Sequence, residues 1–152
     1  MAVNIGAMLL VLISFVALGN MILGGVSGNE TLTIESILGF LFAPLAWLIG
    51  IPWEEAGLAG SLLGTKVVLN EVMAYVQFSA SADLFSEHSR LIMLYALCGF
   101  ANIGSLGILI GGLSVLVPER KNEYLSIAPK SVVCGTLVNL ITGAIVGLVY
   151  LV

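Results

Sequence analysis

Glu71 is a carboxylate inside a largely apolar segment, and its position suggests chemistry more clearly than any other residue in the chain. At the centre of a membrane helix a charged side chain costs about 2.5–3.5 kcal/mol on insertion scales, so such residues usually serve a function. Two further polar residues, Asn102 and Ser105, lie near the middle of an uncharged stretch later in the sequence. Carboxylate, amide and hydroxyl groups together offer hydrogen-bond acceptors and donors.

Each of these residues also has a purely structural interpretation. Glu71 could pair with Lys66 or be a neutral acid satisfied by a neighbouring helix. Five residues separate the two, about 140° around a helix of 3.6 residues per turn, which disfavours a close pair on one regular helix. Asn102 and Ser105 share a helix face at a spacing of three and could hydrogen-bond a neighbouring helix. The glycines around them, Gly99 and Gly104 among them, favour an unwound site instead.

The overall composition is that of a membrane protein. Of the 152 residues 59% are hydrophobic and 9% charged, and the mean hydropathy is +1.13, whereas a soluble domain carries roughly a quarter charged residues. The net charge of −4 excludes a protein that neutralises nucleic-acid phosphates. Cys98 and Cys134 lie in apolar runs and are predicted to be buried free thiols. The sequence contains no nucleophile–base constellation, metal cluster or cofactor motif, so we predict neither an enzyme nor a cofactor.

Three segments are predicted to span the membrane. Residues 5–23 and 131–152 are uncharged and close to the roughly 20 residues that a spanning helix needs. The third segment, 90–117, contains 27 consecutive uncharged residues, 91–117. As one helix those would extend about 40 Å across roughly 30 Å of hydrocarbon. This surplus, with its glycines and polar residues, predicts a helix broken between about Phe100 and Ser105.

Two segments between these spans are irregular. Residues 34–49 are apolar with Pro44 inside, which predicts a kinked span or a helix lying in the membrane interface. Residues 54–78 consist of two short apolar arms around a polar middle. This pattern is typical of a re-entrant helical hairpin, whose non-helical backbone needs protein or a water-filled cavity around it.

The basic residues predict the orientation. Residues 118–130 contain Arg120, Lys121 and Lys130, whereas residues 24–33 contain no lysine or arginine. The positive-inside rule therefore predicts a cytoplasmic loop at 118–130. Residues 81–90, both ends of the hairpin and the carboxyl terminus are then predicted to lie outside.

Two motifs resemble the concentrative nucleoside transporters. "GTKVVLNEVMAY", residues 64–75, and "YALCGFANIGSLGILIGG", residues 95–112, are similar to the paired signature of that family. The resemblance extends from about residue 4 to the end. It implies a multi-pass, all-α protein of the plasma membrane that couples nucleoside uptake to a sodium or proton gradient. It also implies a homotrimer whose protomers have two inverted repeats, each with a re-entrant hairpin and a broken helix.

The resemblance assigns roles to four residues. Glu71 on the hairpin and Asn102 and Ser105 on the broken helix would bind ribose hydroxyls, and Phe100 would line the side of the nucleobase. Half-helix ends and freed backbone groups at the midplane suit such a site. One departure is local: the family usually has Asn-Glu-Phe-Val-Ala-Tyr, whereas this chain has valine and methionine at positions 72 and 73. Hairpin packing or selectivity is expected to differ accordingly.

The second departure is length, because the chain corresponds only to the second half of the family. The first hairpin and first broken helix, which the family uses for the nucleobase and the coupling cation, are expected on another segment or a separate polypeptide. We therefore interpret residues 1–152 as one transmembrane domain, the carboxyl-terminal half of a nucleoside symporter. The alternative is a truncated or scaffolding membrane module without transport activity. The sequence decides neither the coupling ion nor purine against pyrimidine preference.

Overall fold

The chain folds into seven α-helices in the part that the structure describes. The structure is a computed structural model, and it describes residues 2–29 and 32–150. The helices are α1 (Ala2–Ser27), α2 (Ile34–Leu48), α3 (Trp53–Val68), α4 (Glu71–Ser81), α5 (Glu87–Ala96), α6 (Ile103–Leu116) and α7 (Lys121–Val149). Two short 3₁₀ turns, Ala82–Leu84 and Pro118–Arg120, link the later helices. The predicted all-helical fold is therefore confirmed.

The two outer helices are long enough to cross a bilayer. α1 contains the predicted span 5–23, and its 26 residues extend about 39 Å at 1.5 Å per residue. α7 has 29 residues and extends about 44 Å, compared with roughly 30 Å of hydrocarbon. Among the described residues, 118–149 is the segment that is both long and apolar enough to span as one continuous helix. Residues 151 and 152 of the predicted last span lie outside the described residues.

The predicted loop at 118–130 is helical, so that prediction was wrong. A 3₁₀ turn leads directly into α7, which contains Pro129 in its third turn. The polar start of the helix is stabilised locally, because Arg120 Nε donates to Glu123 Oε2 at 3.0 Å. Lysine, glutamate, leucine and alanine are good helix formers, so the helix continues beyond the apolar stretch and carries the basic residues on its first turns.

α2 and α3 form a tightly packed bent pair. Their axes differ by 119° across residues 49–52, where Gly50 adopts a φ of +106° that glycine tolerates best. The backbones touch, since a Cβ at Gly60 would lie 2.5 Å from the carbonyl oxygen of Gly39. Trp47 and Trp53 meet edge to face at the bend, with ring centroids 6.4 Å apart. The predicted hairpin 54–78 corresponds to α3 and α4, interrupted at residues 69–70, and its re-entrant path stays a prediction.

The predicted segment 90–117 consists of two separate helices, α5 and α6. α5 begins at residue 87, three residues earlier than predicted, because Ser86 caps it and the Glu55 carboxylate accepts from the Ser86 amide at 3.1 Å. Part of the predicted outside stretch 81–90 is therefore helical. His88 lies on α5, and its Nε2 donates to the carbonyl of Gly147 on α7 at 3.0 Å.

The buried core is one cluster of side chains from α2, α3, α4, α5 and α7. Ala59, Ile92, Met93 and Leu140 are buried there. Large apolar side chains elsewhere are exposed, including Phe40 and Val115, which a soluble domain seldom tolerates over large areas. Cys98 and Cys134 are also exposed, so the prediction of buried thiols was wrong. In a membrane protein an apolar residue can face lipid as well as the core, and sequence alone does not separate the two.

Candidate functional site

The tip between α3 and α4 is a sharp two-residue interruption. The Leu69 amide closes α3 by donating to the carbonyl of Thr65 at 2.8 Å. The next residue, Asn70, begins α4: its Oδ1 accepts from the Met73 amide at 2.9 Å. Asparagine is among the best helix N-caps, and the carboxylate of Glu71, the first residue of α4, favours the positive end of a helix. Local sequence therefore fixes Glu71 at the tip.

The helix break lies at residues 97–102, a few residues before the predicted 100–105. The regular ladder ends where the Leu97 amide donates to the Met93 carbonyl at 2.9 Å. The next bonds are shorter turns, such as the 3.0 Å bond from the Gly99 amide to the Leu97 carbonyl. The regular helical hydrogen bonds resume where the Leu106 amide donates to the Asn102 carbonyl at 3.3 Å. A continuous helix is excluded, and backbone groups at the break are free.

Asn102 and Ser105 end the break because they form the cap of α6. Asn102 Oδ1 accepts from the backbone N–H of Ser105 at 2.6 Å, and Ser105 Oγ accepts from the backbone N–H of Asn102 at 3.3 Å. This is a reciprocal capping box, which satisfies two donors that a helix start leaves unpaired. The predicted boundary was wrong because these residues were placed inside the unwound stretch, whereas they start the second half-helix.

The hairpin tip and the helix break are joined by a direct hydrogen bond. Asn102 Nδ2 donates to Glu71 Oε2 at 3.2 Å. Asn102 is 3% exposed, whereas Glu71 is half-buried. The amino-terminal ends of α4 and α6 therefore meet at a carboxylate and an amide. Helix amino termini carry partial positive charge, which stabilises the negative charge of Glu71.

Phe100 and Ser105 lie beside this contact and also line a cavity of about 670 Å³ between α6 and α7. Ser105 Oγ donates to the backbone carbonyl of Phe100 or, at 2.8 Å, to that of Asn102. Phe100 is 79% exposed, so its side chain is available for stacking. Glu71 and Asn102 are outside the cavity lining. The structure thus links three predicted residues by side-chain hydrogen bonds and Phe100 through its carbonyl.

The polar groups retain capacity for a ligand. A carboxylate has about four lone-pair positions and an amide NH₂ two protons, and the bond between Asn102 and Glu71 uses one of each. Ser105 uses its single proton and one of two lone pairs within the cap. Glu71 can therefore accept from two hydroxyls while Asn102 still donates once, an arrangement that suits a neutral solute with neighbouring hydroxyl groups.

Lys66 lies close to the hairpin tip but forms no ion pair with Glu71. It is 1% exposed, in the last turn of α3. No salt bridge within 4.0 Å includes it in the part of the chain that the structure describes. The interruption at 69–70 separates the two residues, in agreement with the angular argument from sequence. Glu71 is therefore available to a ligand.

Three further residues support the site and were not predicted. Asn70 caps the helix that presents Glu71, and Tyr75 Oη donates to the carbonyl of Leu94 at 2.6 Å, tying α4 to α5. Asn139, on α7, shares the cavity with Phe100. The signal for Asn70 was its place before a carboxylate, a common helix start. Asn139 was detectable only as the single side-chain amide of the apolar stretch 131–152.

Candidate metal ligands are dispersed in this part of the protein. Over residues 2–29 and 32–150 no three histidine, cysteine, aspartate or glutamate side chains group closely enough to hold a metal ion.

Comparison with known proteins gives a consistent set of similarities. A family model described as "Na+ dependent nucleoside transporter C-terminus" matches residues 1–147. The uncharacterized transporter YutK of Bacillus subtilis is 46% identical over 150 residues, 97% of this chain and 37% of that protein. Nucleoside permease NupC of Helicobacter pylori is 43% identical over 156 residues, with the same two coverages.

A solved structure is similar over the same range. It is described as CNTnw in an inward-facing substrate-bound state, and it superposes with a TM-score of 0.87 at 45% identity. The match covers 97% of this chain and 37% of that one. The chain therefore spans little more than a third of the length of each of these three proteins.

Proposed function

This chain belongs to the concentrative nucleoside transporter family, as its carboxyl-terminal part, and we propose that it supplies the ribose-binding side of a nucleoside transport site. The observation that carries the proposal is the 3.2 Å hydrogen bond between Asn102 and Glu71. It joins the two signature motifs of the sequence at the meeting point of two helix amino termini. Family members are transporters, and this chain is not an enzyme.

The hydrogen-bond inventory favours ribose as the group that is recognised. The two hydroxyls on adjacent ribose carbons donate to Glu71, and the second Asn102 proton is offered to a ribose oxygen. Ser105 adds one acceptor position. A half-buried carboxylate that expects two donors binds a sugar lacking them poorly, because polar groups left unpaired when the ligand covers them are costly. Phe100 presents an exposed ring to the flat nucleobase.

Interruption of the helices is what makes this site possible inside a membrane. A continuous helix satisfies its own backbone, whereas half-helices free amides and carbonyls at the depth where a solute crosses. The caps on Asn70 and Asn102 stabilise both interruptions without a ligand. The protein can then release the nucleoside without unfolding the break.

The remaining features of transport are part of the same proposal. Uptake is coupled to sodium or protons that move with the nucleoside, and the coupling-ion site and the nucleobase contacts other than Phe100 lie on the first repeat. That repeat is supplied by further sequence or a second polypeptide. The assembly is a homotrimer in the plasma membrane, with Arg120, Lys121 and Lys130 on the cytoplasmic side and the carboxyl terminus outside. The rival proposal is a scaffolding module that binds no nucleoside.

Ribose analogues test the proposed recognition. In a complete transporter with residues 1–152 as its carboxyl-terminal part, uridine should compete for uptake, and 2′,3′-dideoxyuridine should compete far more weakly. Each hydrogen bond to a charged group contributes about 1.5–3 kcal/mol, so losing one corresponds to about a ten- to 150-fold weaker competitor. Equal competition by the two compounds would contradict ribose recognition, and absence of nucleoside binding would support the scaffolding alternative.

A further inference from the structure

α7 presents a row of small residues to the broken helix. Close packing at this row leaves no room for larger side chains: a Cβ at Gly143 would lie 2.9 Å from the Cβ of Ala96, on α5. A Cβ at Gly135 would lie 2.8 Å from the Cβ of Ala101, in the break. The row therefore contacts both α5 and the break. Its members recur at every fourth position, Gly135, Asn139, Gly143 and Gly147.

Asn139 is the polar member of the row, and it lies against the break itself. A Cβ at Gly99 would lie 2.6 Å from Asn139 Nδ2, so the amide occupies the space over that glycine. Asn139 Nδ2 is buried without a hydrogen-bond partner in the described part of the chain. A buried donor without a partner is rare and calls for an explanation.

The break that contains Gly99 also contains backbone acceptors without a partner in the part of the chain that the structure describes. Over the described residues, no hydrogen bond ends on the backbone carbonyls of Cys98 or Gly99, because the helical ladder is interrupted there. Asn139 also lines the same cavity as Phe100 and Ser105. One amide therefore lies over a glycine of the break and lines a cavity that two of the site residues also line.

We propose that Asn139 is a positioning residue for nucleoside binding. Its amide fills the space over Gly99 and fixes the path of residues 97–102, and Nδ2 donates to one of the free carbonyls when a nucleoside fills the site. Asn139 acts through the break and does not touch the nucleoside. This inference rests on the proposed function, since it concerns the geometry of the same site.

Enlarging residue 99 and shortening residue 139, singly and together, tests the contact between Gly99 and Asn139. In a complete transporter, Gly99→Ala should weaken nucleoside binding by about five- to 150-fold, the range for overpacking a tight site. Asn139→Ala alone should weaken binding by about two- to tenfold, the equivalent of one neutral hydrogen bond. The double variant should bind as well as Asn139→Ala alone, because removing the amide makes room for the new methyl group.

Gly143→Ala provides the matched control. It also introduces a methyl group into the row, but against Ala96, so Asn139→Ala should not rescue it. A double variant at 99 and 139 that binds the nucleoside no better than Gly99→Ala would overturn the positioning role of Asn139. If Asn139→Ala rescued Gly143→Ala equally, the positioning role would also be overturned, because the substitution would then loosen the packing of α7 in general.

A second measurement is independent of transport. Cys98 lies in the break and Cys134 on α7, and both are exposed. In the purified transporter saturated with uridine, Asn139→Ala should raise the N-ethylmaleimide modification rate of Cys98 by about two- to tenfold, because the hydrogen bond from Asn139 to the break is lost, while Cys134 stays unchanged. An unchanged Cys98 rate would contradict the proposal.

Failure of this inference can be told apart from failure of the proposed function. If Glu71→Gln weakens binding and Asn139→Ala does not rescue Gly99→Ala, Asn139 has no positioning role but the ribose site stands. If Glu71→Gln leaves binding unchanged, the ribose site itself is wrong.

Discussion

Glu71→Gln should weaken nucleoside binding strongly without disturbing the fold. The substitution keeps the size of the side chain, and a glutamine Oε1 can still accept the 3.2 Å bond from Asn102. What is lost is the negative charge and the second acceptor oxygen, replaced by an NH₂ that faces the hydroxyl donors. Losing one hydrogen bond to a charged group costs about 1.5–3 kcal/mol, which corresponds to about a ten- to 150-fold rise in Kd.

The assay is uptake and equilibrium binding of uridine and adenosine by a complete transporter with this chain as its carboxyl-terminal part. Expression level and thermal stability should match the parent protein, because Glu71 forms no ion pair among the described residues. Glu54→Gln is the control, an exposed carboxylate in the first turn of α3, and should leave affinity unchanged. If well-folded Glu71→Gln retains affinity within about twofold, less than half a kcal/mol, the reasoning is refuted.

Two further predictions concern the cap and the orientation. Asn102→Asp should preserve α6, because aspartate caps a helix as well as asparagine does. It should still weaken nucleoside binding by about tenfold or more, since it removes the amide donor and places a second carboxylate against Glu71. Unchanged affinity measured by calorimetry would show that the side-chain amide has no role in binding. Single cysteines at Asp83 and Asn122, with the native cysteines replaced, should react with an impermeant thiol reagent on intact cells only at position 83; strong labelling at 122 would reverse the orientation.

The helix break was predictable because its signals are local. Asn102 and Ser105 stand three residues apart, the spacing of a capping box, and Gly99 precedes them in a stretch too long for one regular span. The boundary was misplaced because the pair was interpreted as ligand groups alone, although a cap uses the same atoms. Asn70 carried a similar local signal before α4. Interrupted helices and their caps can therefore be read from sequence.

Contacts between helices could not be predicted in the same way. The bond from Asn102 to Glu71 joins residues 31 positions apart, and the packing of Asn139 over Gly99 depends on how α7 crosses the break. Neither the spacing nor the periodicity of a single chain specifies such crossings. Knowledge of the family brought the two motifs together as a resemblance, and the geometry supplied the atoms that meet.

The helical start of α7 shows a different limit. Three basic residues predicted a loop at 118–130, because charges leave the membrane. The structure continues α7 through all of them except Arg120, and through Pro129 as well. Charge pattern predicts which residues leave the apolar phase, but it does not predict that the backbone becomes irregular there.

The most direct test of the ribose-site proposal is a structure of the complete transporter with uridine bound. The proposal predicts both ribose hydroxyls within about 2.5–3.0 Å of the Glu71 carboxylate oxygens, the usual range for O–H···O hydrogen bonds, with Asn102 still bonded to Glu71. Uridine bound with its ribose turned away from Glu71, or seated in the cavity between α6 and α7 without contact to the hairpin tip, would contradict it.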